Sequence, residues 1–278
     1  MLIGNRNFDT DHDCYIMGIL NVTPDSFSDG GSFNNLDTAL RHIEQMIADG
    51  MDIVDIGGES TRPGYTKISD EEEINRVVPV IEAVKSRFDI PISIDTYKYC
   101  VAEAGIQAGV DLINDIWGLK YDNGEMASLI AKSGLPCCLM HNRDNTDYNC
   151  FIDDMINDMC ITVEIAQKAG INKDNIILDP GVGFAKTYEN NLEAIDRLDM
   201  LRNRLGYPVL LGTSRKSVIG LTLNLPVSDR LEGTLATTVV GVMRGASFIR
   251  VHDVKENVRA VRMTQAIMKG YKNGQNMH

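Results

Sequence analysis

The chain has 278 residues, of which 27 are Lys or Arg and 39 are Asp or Glu, so its formal net charge at pH 7 is −12. This acidic balance argues against a nucleic-acid-binding protein, because phosphates require a basic surface. Hydrophobic residues make up 44% of the chain, which is enough for a large core and excludes a disordered acidic tail. The same balance weakly disfavours an anionic substrate, an expectation that the motifs described below modify.

The sequence shows no secretory signal and no membrane span. Its first 13 residues are polar and include Arg6 and Asp9, whereas a secretory signal is first basic and then apolar. No apolar run approaches the roughly 18 residues of a membrane helix. The six cysteines contain no Cys-x-x-Cys pair, which favours buried reduced thiols. We therefore expect a cytoplasmic protein with no membrane partner.

Eight short runs rich in β-branched and apolar residues recur along the chain, and each ends in polar or glycine residues. Near-continuous hydrophobicity of this kind is typical of parallel strands that are buried on both faces. The runs cover residues 15–22, 53–58, 92–95, 112–116, 137–140, 176–179, 209–213 and 248–252.

Amphipathic helices are predicted between these runs. Ser69 and Glu72 have the spacing of a capping box, and the apolar residues of 74–81 then follow one helical face. A second apolar face over 152–166 stops before Gly170, which suits a C-terminal cap. Repeated strand and helix predict a (β/α)8 barrel of the TIM type, with a doubly wound open sheet as the alternative. We expect one domain over residues 1–278, with the barrel at about 15–269 and flanking segments at 1–14 and 270–278.

The carboxyl ends of the predicted strands carry polar side chains. In a barrel these ends meet at one mouth, where the catalytic residues of this fold lie. The residues at the eight ends are Asn21, Glu59, Ser60, Asp95, Asn114, Asp115, His141, Asp179, Ser214, Lys216, Arg250 and His252. Because eight ends converge, we expect a binding site rather than eight independent polar turns.

Two segments resemble nucleotide or calcium motifs but fail their requirements. Residues 179–187 read DPGVGFAKT, where Ala185 replaces a Walker A glycine and Lys186 replaces the third glycine of a dinucleotide fingerprint. The acidic segment from Asp9 lacks the glycine and the glutamate of a calcium loop. The segment therefore predicts a carboxylate, Asp179, placed before a tight glycine loop, where a flat ligand could lie close to it.

Four segments, each at a predicted strand end, resemble the dihydropteroate synthase family. They are residues 21–31 (NVTPDSFSDGG), 57–64 (GGESTRPG), 212–216 (GTSRK) and 250–253 (RVHD). The resemblance runs in order from about Tyr15 to about Lys269. It implies a (β/α)8 enzyme, usually a homodimer, that joins (7,8-dihydropterin-6-yl)methyl diphosphate to 4-aminobenzoate with Mg²⁺. The products would be 7,8-dihydropteroate and diphosphate, in folate biosynthesis, and the enzyme class is the target of sulfonamides.

The resemblance also implies a role for particular residues of this sequence. Those implied for the pterin ring are Asp95, Asn114, Asp179 and Lys216. Those implied for the diphosphate are Asn21, Thr61, Arg62, Arg250 and His252, with Asn21 also binding the magnesium ion. Those implied for 4-aminobenzoate are Phe27, Pro63, Phe184 and Ser217. The catalytic set would be Lys216, Arg250, His252 and Asp29, and His141 is left outside it.

The chemistry of these side chains agrees with the implied reaction. A pterin presents donors and acceptors along one planar edge, which carboxylates and an Asn amide can match. A diphosphate needs charge-assisted donors such as Arg62, Arg250 and His252, together with a hard cation. In the family's dissociative reaction diphosphate leaves first, so stabilising the leaving group matters more than a strong base. Asp29 would stabilise the resulting cation while its loop excludes water. We thus expect a cationic mouth on an acidic shell.

Three other functions remain as alternatives. A pterin-dependent methyltransferase that passes a methyl group to a corrinoid would share the Asp and Asn positions, but not the Thr-Arg-Pro, Ser-Arg-Lys and Arg-x-His segments. A Schiff-base aldolase would need Lys216 in an apolar pocket, whereas polar residues and Arg215 precede it. A degenerate barrel that serves only as a scaffold is disfavoured, because the implied site residues are intact.

Overall fold

The computed structural model of the chain describes residues 1–23, 32–59 and 67–273, with side chains left undescribed at 32–35 and 271–273. Two short strands, β1 (Leu2–Ile3) and β2 (Arg6–Asn7), form an antiparallel hairpin at the amino terminus. Eight further strands then form one parallel sheet. They are β3 (Tyr15–Asn21), β4 (Ile53–Gly57), β5 (Ile92–Asp95), β6 (Leu112–Asp115), β7 (Cys137–Met140), β8 (Ile176–Asp179), β9 (Leu210–Leu211) and β10 (Phe248–Val251).

The parallel sheet closes into a barrel. Its strand order is β8-β7-β6-β5-β4-β3-β10-β9, and a parallel bridge between Leu178 and Val209 connects the two end strands. The predicted (β/α)8 barrel is therefore confirmed over the open-sheet alternative. One strand differs in length: β9 has only two residues, against the five predicted at 209–213. The chain leaves the sheet there to make the turn that carries Arg215, whose φ is +58°.

Helices follow the strands around the outside of the barrel. Within the described residues they are α1 (Ser32–Ala48), α2 (Asp70–Arg87), α3 (Tyr99–Ala108), α4 (Glu125–Ser133), α5 (Phe151–Ala169), α6 (Tyr188–Asp196), α7 (Leu198–Leu205), α8 (Ser217–Leu223), α9 (Leu231–Met243) and α10 (Val254–Asn273). The predicted cap at Gly170 is confirmed, since this residue ends α5 at a φ of +93°. Of the predicted capping box, Ser69 accepts from the backbone N–H of Glu72 at 3.1 Å, whereas the Glu72 side chain pairs with Arg76. Among the described helices, none combines the length and hydrophobicity needed to cross a membrane.

The interior of the barrel changes from apolar to charged along the strands. Its amino-terminal layer is apolar, and Ile3 and Phe8 of the amino-terminal segment pack against it. That layer consists of Met17, Ile53, Leu112, Cys138, Ile177, Leu210 and Phe248. Side chains two positions apart on a strand share a face, so the next inward residues include Asp55, Asn114, Asp179 and Arg250. The fold thus brings polar side chains from distant strands together on an apolar floor.

Candidate active site

Arg250 lies between two carboxylates at the centre of the barrel mouth. Its Nε donates to Oδ2 of Asp55 at 2.5 Å, and its Nη2 donates to Oδ2 of Asp95. The side-chain amide of Asn114 donates to the same Asp55 oxygen at 3.1 Å. Although burial opposes the charge of Arg250, the two carboxylates raise the pKa of its guanidinium above the ordinary value. The arrangement holds the guanidinium from β10 against two carboxyl groups from β4 and β5.

Two carboxylate oxygens in this group lack a hydrogen-bond partner among the described residues. Oδ1 of Asp55 and Oδ1 of Asp95 are buried, and neither has a hydrogen-bond partner within the described part of the chain. Buried acceptors of this kind are costly unless something pairs with them. Burial raises the pKa of Asp95 to about 7, and Asp55 adds to this rise while Arg250 opposes it. The site therefore offers acceptors to a ligand that carries N–H groups.

A third carboxylate, that of Asp179, and a second cation, Lys216, complete the floor of the site. Oδ1 of Asp179 accepts from the backbone N–H of Gly181 at 2.7 Å, and Lys216 donates to the carbonyl of Val182. Burial raises the pKa of Asp179, while the charge of Lys216 opposes the rise. Burial in turn lowers the pKa of Lys216 to about 8, against the attraction of Asp179. Asp179 and Lys216 thus interact electrostatically across the floor of the site.

The glycine loop after β8 is shaped by close packing. Gly181 has a φ of +68°, and a Cβ there would lie 2.1 Å from the carbonyl oxygen of His141. Gly183 has a φ of +88°, and its Cβ would lie 3.3 Å from the Lys216 side chain. The Nζ of Lys216 lies 5.0 Å from the ring centre of Phe184, within reach of a cation–π contact. The two glycines therefore allow the loop backbone to lie directly against the floor of the site.

The rim of the site is built from the ends of β9 and β10. Oγ of Ser214 lies 2.9 Å from Nδ1 of His252 and accepts from the backbone N–H of the same residue at 3.1 Å. Nε of Arg215 donates to Asp253 at 3.0 Å, in a two-pronged ion pair. These contacts connect the two strand ends and orient His252, whose other ring nitrogen is Nε2. Asn21 ends β3 beside Gly57.

The structure describes most of the residues implied by the sequence. Those that line the interior are Asp95, Asn114, Asp179, Lys216 and Arg250. Those at strand ends or in the loops next to the interior are Asn21, Phe184 and His252, while Ser217 is the exposed first residue of α8. Those that lie outside the described residues are Phe27, Asp29, Thr61, Arg62 and Pro63.

Glu59, Asp115 and His141, which pairs with Asp158 on α5, differ from the simple picture of strand ends that all face one mouth. Glu59 forms a buried ion pair with Lys98 at 2.7 Å, and so it holds neighbouring segments together. Asp115 points away from the interior and accepts from two backbone N–H groups of the following turn, at 2.8 and 2.7 Å. Asp55 is a site residue that the sequence analysis missed. The available signal was its place within an apolar run, two residues after the inward Ile53.

Comparison with known proteins defines the class. Residues 17–252 match the family model described as pterin binding enzyme, so the chain belongs to this family of enzymes. Within it, the chain is 60% identical over 270 residues to the dihydropteroate synthase of Clostridium beijerinckii, covering 97% of this chain and 100% of the relative. The crystal structure of dihydropteroate synthase from Clostridium difficile in the presence of pteroic acid aligns with a TM-score of 0.91 and 53% identity, covering 94% of this chain and 99% of that one. The Xanthomonas albilineans dihydropteroate synthase with 4-aminobenzoic acid aligns with a TM-score of 0.90 and 38% identity, covering 96% and 97%.

Proposed function

We propose that this chain is a dihydropteroate synthase, a transferase of folate biosynthesis. It would condense (7,8-dihydropterin-6-yl)methyl diphosphate with 4-aminobenzoate to give 7,8-dihydropteroate and diphosphate. One observation carries the proposal: two carboxylates, an amide and a lysine meet on a buried floor that matches a planar heterocycle. The similarity to named synthases along nearly the whole chain supports it.

The pterin ring fits the hydrogen-bonding groups of the floor. Asp95 and Asp179 can accept from the exocyclic amino group and the ring N–H groups of an amino-pyrimidinone. Asn114 uses one amide N–H on Asp55, which leaves its oxygen and its second N–H for the ring. Lys216 can donate to a ring nitrogen or to the carbonyl oxygen. Each polar atom of the ligand edge therefore has a partner of the required type.

The diphosphate would lie at the rim. His252, held by Ser214, can donate from Nε2, and Arg250 retains N–H groups beyond the two that its carboxylates occupy. Thr61 and Arg62 would add further donors. In the dissociative reaction the C–O bond to diphosphate breaks and its electron pair leaves with diphosphate. The amine of 4-aminobenzoate, placed by Phe27, Pro63, Phe184 and Ser217, then forms the C–N bond and releases a proton, while Asp29 stabilises the cation.

A magnesium ion would be bound mainly by the substrate diphosphate and water, with few ligands from the protein. The described residues contain no group of three or more His, Cys, Asp or Glu side chains that could hold a metal ion. Mg²⁺ commonly takes one or two protein oxygens, with substrate phosphates and water supplying the rest. The amide oxygen of Asn21, at the end of β3, suits that role. The ion would neutralise charge that develops on the leaving diphosphate.

The proposal is tested by mixing the purified protein with dihydropterin diphosphate, labelled 4-aminobenzoate and Mg²⁺. We expect labelled dihydropteroate and free diphosphate in equal amounts, with little product after chelation of the metal. A sulfonamide should raise the apparent KM for 4-aminobenzoate. Absence of product from a folded protein would overturn the proposal. Transfer of a methyl group from a methylated folate to a corrinoid would favour the methyltransferase instead.

The pterin affinity is expected to be highest in a narrow pH range. Burial raises the pKa of Asp95 to about 7 and lowers that of Lys216 to about 8. Below the first value Asp95 gains a proton and loses an acceptor, and above the second Lys216 loses its charge. Titration of 6-hydroxymethyl-7,8-dihydropterin, which has no diphosphate to ionise, can be followed by the fluorescence of the single tryptophan, Trp117. Asp95→Asn should remove the acid limb, and a flat profile across about pH 6 to 9 would contradict the assignment.

The proposal includes a homodimer, in which α8, α9 and α10 of each subunit would form the interface. Most of the exposed large hydrophobic residues belong to this side of the barrel, where α9 packs against both neighbours. They are Leu221, Leu223, Val227, Val240, Met243, Met263 and Ile267. A second copy of the chain would remove these side chains from water. We expect light scattering to give twice the chain mass, and Met243→Lys, but not the control Leu2→Lys, to give the monomer.

A cytoplasmic location also remains a proposal. All six cysteines lie within the described residues and are free thiols, as a reducing compartment favours. Detection of the protein in the soluble cytoplasmic fraction of its host would test this.

A further inference from the structure

A row of three hydrogen-bonded side chains, centred on one buried histidine, lies next to the candidate site, and the proposed reaction does not use it. Nε2 of His141 lies 2.9 Å from Oδ2 of Asp158, which is on α5. Nδ1 of the same ring lies 2.9 Å from Nζ of Lys186, in the loop after β8. His141 is completely buried, directly after β7. The three residues thus connect an outer helix to the loop that borders the site.

The direction of the hydrogen bonds follows from the chemistry of the three groups. The ionised carboxylate of Asp158 can only accept, so Nε2 of the neutral His141 ring carries the proton and Nδ1 accepts from Nζ of Lys186. Burial lowers the pKa of His141 to about 4, so the ring is neutral at neutral pH. Although partial burial opposes it, the bonds from His141 and Arg143 hold the pKa of Asp158 below its usual range. The hydrogen bonds of the three side chains therefore all run in one direction, from Lys186 through His141 to Asp158.

Lys186 also holds the backbone of the loop next to the pocket. Its Nζ donates to the carbonyl of Phe184 at 3.0 Å, and the hydroxyl of Tyr148 donates to the carbonyl of Ala185 at 2.8 Å. Ala185 has a φ of +45°, a conformation that non-glycine residues seldom adopt without support. These bonds fix the two peptide groups on either side of Ala185, directly after Phe184. The ring of Phe184 in turn packs against the buried group that contains Met140.

Stability alone does not account for a lysine at this position. Burial lowers the pKa of Lys186 to about 7; the charge of Asp179 opposes this fall, and the charge of Lys216 adds to it. A methionine of similar length would avoid both the desolvation of the ammonium group and this repulsion. The lysine is better explained by the geometry that it imposes on residue 184.

We propose that Asp158, His141 and Lys186 form a positioning relay that fixes the Phe184 wall against which 4-aminobenzoate lies. This inference rests on the proposed synthase function. The three residues are positioning residues, since they act on the substrate through Phe184. Asp95 and Asn114 of the pterin floor lie on β5 and β6, and the carboxylate of Asp179 is held by Gly181, so the relay should affect the second substrate more than the first.

The test compares Lys186→Met with Lys168→Met, a control on the outer face of α5 whose side chain is 78% exposed. We expect Lys186→Met to raise the KM for 4-aminobenzoate about tenfold, the effect of losing one charge-assisted hydrogen bond. Pterin affinity, measured by Trp117 fluorescence, should change less than about threefold. Asp158→Asn, which weakens the far end of the relay, should raise the same KM by a smaller factor. Should Lys186→Met fail to fold, Asp158→Asn carries the test.

A second measurement does not depend on turnover. Long-range ¹⁵N NMR of the unaltered protein, with the His141 signals assigned by their loss in His141→Gln, should show a neutral ring protonated at Nε2. A ring protonated at Nδ1 would overturn the relay. So would an unchanged KM for 4-aminobenzoate in both variants, or an equal rise for both substrates, even though dihydropteroate is formed. If the unaltered protein forms no dihydropteroate while NMR shows the Nε2 tautomer, the synthase proposal is the one that fails, and the role in 4-aminobenzoate binding falls with it.

Discussion

Replacement of Arg250 by Met is expected to abolish most activity and to destabilise the protein, with the second effect growing as the pH rises. The guanidinium is the shared partner of Asp55 and Asp95, and Asp55 is fully buried. Removing one partner of a buried ion pair typically costs about 3–5 kcal/mol, because an uncompensated charge is left behind. The loss of donors to the leaving group should reduce kcat/KM by roughly a thousandfold. Urea unfolding and steady-state kinetics measure the two effects separately.

The pH dependence identifies the carboxylates as the cause. The pKa of Asp95 is raised from 3.8 to about 7, so its contribution to stability is present at low pH and is lost as the pH rises through the folded-state value. Without Arg250, which opposes this rise, the pKa should increase further and the loss should continue to higher pH. We therefore expect the variant to be closest in stability to the unaltered protein at acid pH. A pH-independent difference would contradict this account.

Two further variants complete the Arg250 experiment. Arg250→Met combined with Asp55→Asn removes one uncompensated charge, so it should recover much of the stability and none of the activity. Arg204→Met breaks an exposed ion pair with Asp153 and should cost less than about 1 kcal/mol. Recovery of activity in the double variant would show that Arg250 acts only by neutralising the two carboxylates.

The sequence predicts the barrel and much of its site because both follow from short-range periodicity. Apolar runs with polar ends require buried parallel strands, and parallel strands deliver their ends to one side. The alternation of side chains along a strand is enough to bring Asn114 and Asp179 to the same interior. The contacts between side chains from different strands could not be predicted in the same way. Arg250 meets Asp55 and Asp95 across 195 and 155 residues, and only closure of the barrel selects those contacts.

The polar residues whose orientation was not predicted share one physical explanation. A polar residue near a strand end can face the interior, cap a turn or pair with a helix, and the sequence does not separate these outcomes. Glu59 finds the buried Lys98, Asp115 finds backbone N–H groups, and Asp55 faces inward from within an apolar run. His141 likewise pairs with Asp158 on α5 and with a loop residue. Burial makes each of these pairings necessary, because an unpaired polar group inside the protein is costly.

Asp179→Asn is expected to weaken pterin binding by at least about a hundredfold while leaving the fold intact. The amide can keep its oxygen on the N–H of Gly181, where the carboxylate now accepts at 2.7 Å. It then presents N–H groups to a ligand edge that also donates, so a charge-assisted hydrogen bond is replaced by two opposed donors. The loss should appear in the Kd measured by Trp117 fluorescence and in kcat/KM for the pterin diphosphate, with little change in the KM for 4-aminobenzoate.

The stability of the same variant separates a binding role from a structural one. Burial raises the pKa of Asp179, so its charged form weakens the fold as the pH rises, and an amide avoids that cost. Against this, Lys216 loses the carboxylate that supports its charge, so its pKa should fall below the present value of about 8. The two effects oppose each other, and we expect unfolding free energies within about 1 kcal/mol of each other. The alkaline limb of pterin binding should move to lower pH. A variant that unfolds easily, or that binds the pterin as tightly as before, would show that Asp179 supports the loop and does not recognise the ring.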